Sequence, residues 1–102
     1  MHDIRDPQAC QTMTEVRAGV DAVDRELIAL LKRRFGYMEA AARIKPERGM
    51  VRDDARKAEV IANAVRHAGE AGIPDNAVAE MWECLVEASI AYEMDRFDRS
   101  AR

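Results

Sequence analysis

Aromatic residues make up only 5% of this 102-residue chain, and just three prolines and five glycines punctuate it. That scarcity of turn formers favours a few long helices over many short elements. There are two cysteines, Cys10 and Cys84, and two histidines, His2 and His67, and none of them is close-spaced. This excludes a metal-ligand motif and predicts free thiols, no disulfide and no bound metal. No apolar run approaches the length of a membrane span, and the N-terminal MHDIRDPQ lacks the apolar centre of a signal peptide. The expectation is a cytoplasmic protein with no membrane partner. Lys and Arg number 16 against 19 Asp and Glu, for a net charge of -3, so no basic footprint for nucleic acid is expected. Glycine-rich phosphate loops, H-E-x-x-H and nucleophile–base pairs are missing as well, and no cofactor is implied.

What the chain does contain is Ala, Glu, Arg and Leu, with 34% of residues charged. One domain of this size has a small core and gains from self-association. Residues 1–11 read as an irregular lead-in with Asp6-Pro7 as a turn or breaker. Residues 12–98 read as the helical domain, and 99–102 as a frayed tail. The first helix starts near Thr12 or Met13, where Thr12 and Glu15 form a capping box, and ends near Lys45 before Pro46. Residues 46–51 form a loop that pivots at Gly49. The second helix begins near Arg52 or Asp53, carries Ala55, Ala58 or Val60, Ile61, Ala62 and Val65 inward, and ends at Gly69 and Gly72. The third is capped by Asp75 or Asn76 and carries Val78, Met81, Trp82, Leu85, Ser89, Tyr92 and Phe97. The first helix would be about 48 Å long, whereas a compact chain of this length has a radius of gyration of about 13 Å. No single short domain covers such a helix, so the expected architecture is an all-α homodimer, three helices per chain, with paired long helices.

The apolar seam of the first helix runs through Val16, Val20, Val23, Leu27, Leu31, Met38 and Ala41, and Arg34 and Lys45 lie on it. These two cations are about three turns, or about 16 Å, apart and point the same way. A cation facing a core needs an opposing charge. Either a carboxylate from another helix supplies it or an anionic ligand does. With Arg17, Arg52 and Arg56 nearby in the pattern, the expectation is a pocket rich in cations and poor in acids that suits a small dicarboxylate. Taken singly, Arg17 reads as a solvated helix residue, and Arg34 and Lys45 as side chains that snorkel to the surface. Ser89 and Glu93, four residues apart, share a face of the third helix, where a packing serine and a surface glutamate are the plain reading.

The pattern V-R-x-x-V-D-x-V-D-x-x-L-I-x-L-L-x-x-R (Val16 to Arg34) resembles the all-helical, AroQ-class chorismate mutases. So do A-A-R-I-K (Ala41 to Lys45), V-R-D-x-x-R (Val51 to Arg56) and E-A-S-I-A-Y-E (Glu87 to Glu93). The lead-in D-P-x-x-C (Asp6 to Cys10) and Tyr37 to Lys45 are similar to the related isochorismate pyruvate lyases. The resemblance implies an intertwined homodimer with two shared sites and no cofactor. It implies that Arg17, contributed in trans, and Arg34 bind substrate carboxylates, and that Lys45 contacts a carboxylate and the ether oxygen. It places Asp53 at the ring hydroxyl through its backbone, Arg56 near the transferring group and Ser89 near the ring carboxylate. Lys57 departs from the pattern, standing where a glutamate often binds the ring hydroxyl. Glu93 stands where many members have glutamine, and it can donate a hydrogen bond to the ether oxygen only when protonated, which burial would have to favour. The implied reaction is chorismate to prephenate, with Lys45, Glu93 and Arg34 as catalytic residues. Elimination of pyruvate from isochorismate is the alternative. A non-catalytic helical dimerisation module is a third reading, and it predicts Arg34 and Lys45 paired with carboxylates in a dry interface.

Overall fold

The computed structural model describes residues 4–100, so the first three residues of the expected lead-in and the last two of the expected tail lie outside the described residues. Helix α1 spans Met13–Ile44, α2 spans Asp54–Ala71 and α3 spans Asp75–Arg99, with single 3-10 turns at Pro7–Ala9 and Arg48–Met50. The architecture is all-helical, with no strand among the described residues. No helix among them is long and apolar enough to cross a membrane. The chain divides into two compact units between Arg34 and Phe35, and α1 runs through the division.

The first unit is the lead-in and the N-terminal part of α1. The capping box forms as the sequence predicts. Thr12 Oγ1 accepts from the Glu15 amide at 3.1 Å, and Glu15 Oε1 accepts from the Thr12 and Gln11 amides at 3.1 and 2.8 Å. The Gln11 amide, helped by the Arg5 guanidinium, holds the Glu15 carboxyl below the usual carboxylate range. These bonds satisfy amide donors that a helix start otherwise leaves open. Asp6-Pro7 opens a 3-10 turn over Pro7–Ala9, closed by the Ala9 amide on Asp6 O at 2.9 Å. The apolar seam is present but uncovered within the chain: Val16, Val20, Val23 and Leu27 are 38–53% exposed. A cavity of about 450 Å³ lies beside it, lined by Ile4, Pro7, Cys10, Val16, Val20 and Val23 among others.

The second unit holds the rest of α1 with α2 and α3. Two small apolar clusters build it. Ala64 and Ala68 of α2 pack with Val78 of α3, flanked by Trp82. Ala42 of α1, Val51 and Phe97 form the other, flanked by Ile90 and Met94. The inward face of α2 is therefore set by Ala64 and Ala68 with half-buried Val60, Ile61 and Val65, while Ala55, Ala58 and Ala62 are exposed. An alanine-rich helix offers too little contrast between its faces for periodicity to choose correctly. Met81 is 58% exposed and not in the core, because it lies about 100° round the helix from Trp82.

The helix ends also refine the sequence expectations. Gly69 stays helical, and Gly72, at φ 75, ends α2 alone. The Ile73 amide bonds Ala68 O at 3.0 Å and the Gly72 amide bonds Gly69 O at 3.2 Å, a Schellman closure that needs the left-handed residue. Helix α3 begins behind Pro74 with no side-chain cap, so neither Asp75 nor Asn76 serves as one. Proline pre-sets the entry dihedral, and Asp75 in the first turn complements the helix dipole instead. At the other end Arg99 is still helical and Ser100 caps it.

Candidate active site

Lys45 follows the last residue of α1, and its amide still bonds Ala41 O at 2.9 Å, so its side chain leaves in helical register. Its ammonium donates to Glu93 Oε2 of α3 at 2.7 Å. Glu93 is 4% exposed and the Lys45 side chain 28%, so the pair is shielded on one side and reachable on the other. The opposing charge that Lys45 requires is thus a carboxylate from another helix. Ser89 lies one turn before Glu93 on the same buried face, and its hydroxyl donates to Leu85 O at 2.7 Å.

Asp53 caps α2 by accepting the Arg56 amide at 2.9 Å. The Arg56 guanidinium reaches Glu59 at 2.5 Å on the exposed first turn. Asp53 and Arg56 are thereby joined through the cap. Arg17 and Arg34 belong to the first unit, where Arg17 is exposed and Arg34 half-buried. Within the second unit the structure brings Lys45 onto Glu93 and keeps Ser89 on the same helical face.

The expected cation-rich, acid-poor pocket is corrected by four carboxylates of α3. Besides Glu93 on Lys45, Arg52 Nη2 and Nη1 grip Glu87 at 2.7 and 3.1 Å, and Lys57 reaches Glu87 at 2.7 Å and Glu83 at 2.8 Å. Arg48 Nε and Nη2 grip Asp98 at 2.8 and 3.2 Å. Glu83 and Glu87, four apart and on one face, were the available sequence signal. Their partners, about 30 residues away, were not legible from spacing. Further along α3, the Tyr92 hydroxyl donates to Glu39 at 2.9 Å, and the Arg96 guanidinium stacks 4.6 Å over the Tyr92 ring. Phe35 meets the same ring edge-on at 5.0 Å. These contacts seat the part of α1 from Phe35 onward on α3 and fix where Lys45 emerges.

Charge chemistry follows from these contacts. The Arg52 hydrogen bonds, and then that of Lys57, pull the Glu87 carboxyl down to about 2. Glu83 and then Glu87 raise the Lys57 ammonium above its ordinary value. A carboxyl whose pKa falls on folding adds stability above its unfolded value, about 4.3, and loses it as pH falls through the folded one. An ammonium raised on folding contributes below its unfolded value, about 10.4, and loses that contribution as pH rises through the raised value. The α2–α3 tie is therefore expected to persist from neutral pH down to about pH 3. A side-chain carboxyl carbon titration by NMR should place Glu87 at about 2, well below the ordinary glutamate value. A midpoint near the ordinary glutamate value would show that the grip of Arg52 is not kept in solution.

Residues 16–94 match the sequence profile of the family described as chorismate mutase type II. The isochorismate pyruvate lyase of Pseudomonas aeruginosa is 24% identical over 91 residues, which cover 89% of this chain and 90% of that protein. The family match and the all-helical fold agree with the four motifs read from the sequence, and the chain belongs to the type II chorismate mutase family.

Proposed function

We propose that the protein is a chorismate mutase acting as a homodimer, with Lys45 and Glu93 at the ether oxygen. What carries this reading is the family match over residues 16–94, and the Lys45–Glu93 pair, 2.7 Å apart with the lysine side chain 28% exposed, stays reachable from solvent where a non-catalytic module would bury it in a dry interface. The rearrangement is one pericyclic step: the ether C–O bond breaks as a C–C bond forms, and no proton must move. Two demands remain. The substrate must be held in its compact conformer, and negative charge growing on the ether oxygen must meet a fixed donor. Arg34 and, from a second copy, Arg17 clamp the carboxylates in this reading, since a guanidinium binds them bidentately. Lys45 turns toward the ether oxygen as its donor, and Glu93 holds the ammonium beside that position. Asp53 offers its backbone to the ring hydroxyl, Arg56 stands near the transferring group and Ser89 near the ring carboxylate. The uncovered seam of Val16, Val20, Val23 and Leu27 supports pairing of two copies, because so much aligned apolar surface is costly in water. A cytoplasmic location completes the proposal.

A second reading, isochorismate pyruvate lyase, is favoured by two observations. The Pseudomonas aeruginosa relative bears that name. Lys57, tied to Glu83 and Glu87, stands in place of the acidic hydroxyl partner that the resemblance leads one to expect. Supplying chorismate and isochorismate separately, and identifying prephenate or salicylate plus pyruvate, decides between them. Prephenate as the fast product upholds the mutase. Pyruvate release from isochorismate at a higher kcat/KM replaces it with the lyase, and turnover of neither overturns both.

A further inference from the structure

The link between α1 and α2 has a candidate site residue at each end, Lys45 before it and Asp53 behind it. Its residues 46–50 are exposed and a side chain at Gly49 would meet only open space, so its own sequence gives it little reason to hold one shape. Yet α3 fastens it at two points. Arg48 forks onto Asp98 and Arg52 forks onto Glu87, both with two hydrogen bonds. The Arg48 guanidinium also holds the Asp98 carboxyl below the usual range. Between the two attachments Val51, 3% exposed, packs with Ala42 and Phe97. Asp98 and Glu87 are about 16 Å apart along α3, and Glu93 lies between them. The attachments therefore bracket the residue that Lys45 contacts.

We propose that Arg48–Asp98 and Arg52–Glu87 are positioning pairs that hold the α1–α2 link closed before substrate arrives. This rests on the reading of Lys45 and Glu93 as the reacting centre. An exposed ion pair is weak alone, but a forked Arg–carboxylate pair adds geometry, and here two of them share one short segment with a buried valine. If substrate binds only the closed link, its apparent affinity falls by the fraction closed, while the chemistry of filled sites is unaffected. Loss of a latch then raises KM and spares kcat. Irreversible loss of folded protein does the reverse, because fewer intact molecules lower kcat at an unchanged KM, and reversible unfolding, which would also raise KM, is read separately by urea denaturation.

The test compares wild type, Arg48→Ala, Asp98→Ala and the charge-reversed pair Arg48→Asp/Asp98→Arg, in steady-state kinetics with chorismate and with isochorismate. Amide exchange at Met50 and Val51, whose amides bond Glu47 O and Arg48 O at 3.1 Å, is followed in the ligand-free proteins. Both single variants should show KM raised about tenfold with kcat within about twofold, and faster exchange at Val51. The reversed pair should recover most of the KM. An unchanged KM in Arg48→Ala, or a fall in kcat at constant KM, overturns the positioning role. Failure of the functional reading is distinguishable, since it appears as no turnover by the wild type itself.

Discussion

Lys45→Ala is expected to lose about 10²–10³-fold in kcat and to unfold more easily than the wild type. The first effect follows from removing a fixed cation where charge develops in the transition state. The second follows from Glu93. Its carboxylate is 4% exposed and accepts from Lys45 at 2.7 Å, so truncation strands it in a poorly hydrated place. Full burial of an unpaired charge costs about 3–5 kcal/mol, and the partial exposure of Lys45 brings the expectation nearer to about 2 kcal/mol. A catalytic lysine with no buried partner would leave the fold intact when truncated; the pairing with Glu93 changes that. A companion variant separates the two effects. Lys45→Ala/Glu93→Gln removes the stranded charge and should regain most of the stability, measured by urea denaturation, without regaining kcat. A single variant that keeps near-native kcat would remove Lys45 from the mechanism. A double variant no more stable than the single one would mean that the stranded charge is not the source of the loss.

Features of this fold that depend on neighbours in the chain are legible in the sequence. The Thr12–Glu15 box and the left-handed Gly72 each close hydrogen bonds within about six residues, so residue type and spacing suffice. The cation on the inner face at Lys45 is legible for the same reason, since helical periodicity places it. Its partner is not, because Glu93 lies 48 residues away and only the docking of α3 decides the pairing. The same holds for Arg52 on Glu87 and Arg48 on Asp98, 35 and 50 residues apart. Spacing shows that Glu83 and Glu87 share a face, but not which helix end that face meets. Small residues mislead for another reason. Alanine differs too little from its surroundings for a seam to stand out, so Ala64 and Ala68 are hidden among other alanines, and Ala42 rather than Ala41 is the buried residue on α1.

Mixing Arg17→Ala and Lys45→Ala chains should restore activity that neither variant has alone. In the proposed homodimer each site takes Lys45 from one chain and Arg17 from the other. A heterodimer of the two variants then has one site with both residues intact and one with both lost. Random exchange makes about half the dimers mixed, so about a quarter of all sites, and of wild-type kcat per site, should return. The uncovered valines of α1 supply the physical reason to expect exchange into pairs, since Val16, Val20 and Val23 flank Arg17 in sequence on a face that the single chain leaves in water. Chains should be unfolded together and refolded, because Lys45→Ala is expected to be the less stable, and mass spectrometry of the native dimer confirms mixing. If Arg17 instead served its own chain, every site of a mixed dimer would keep one lesion and no activity would return. Absence of recovery in confirmed heterodimers would therefore assign Arg17 to its own subunit, and recovery would place it across the interface.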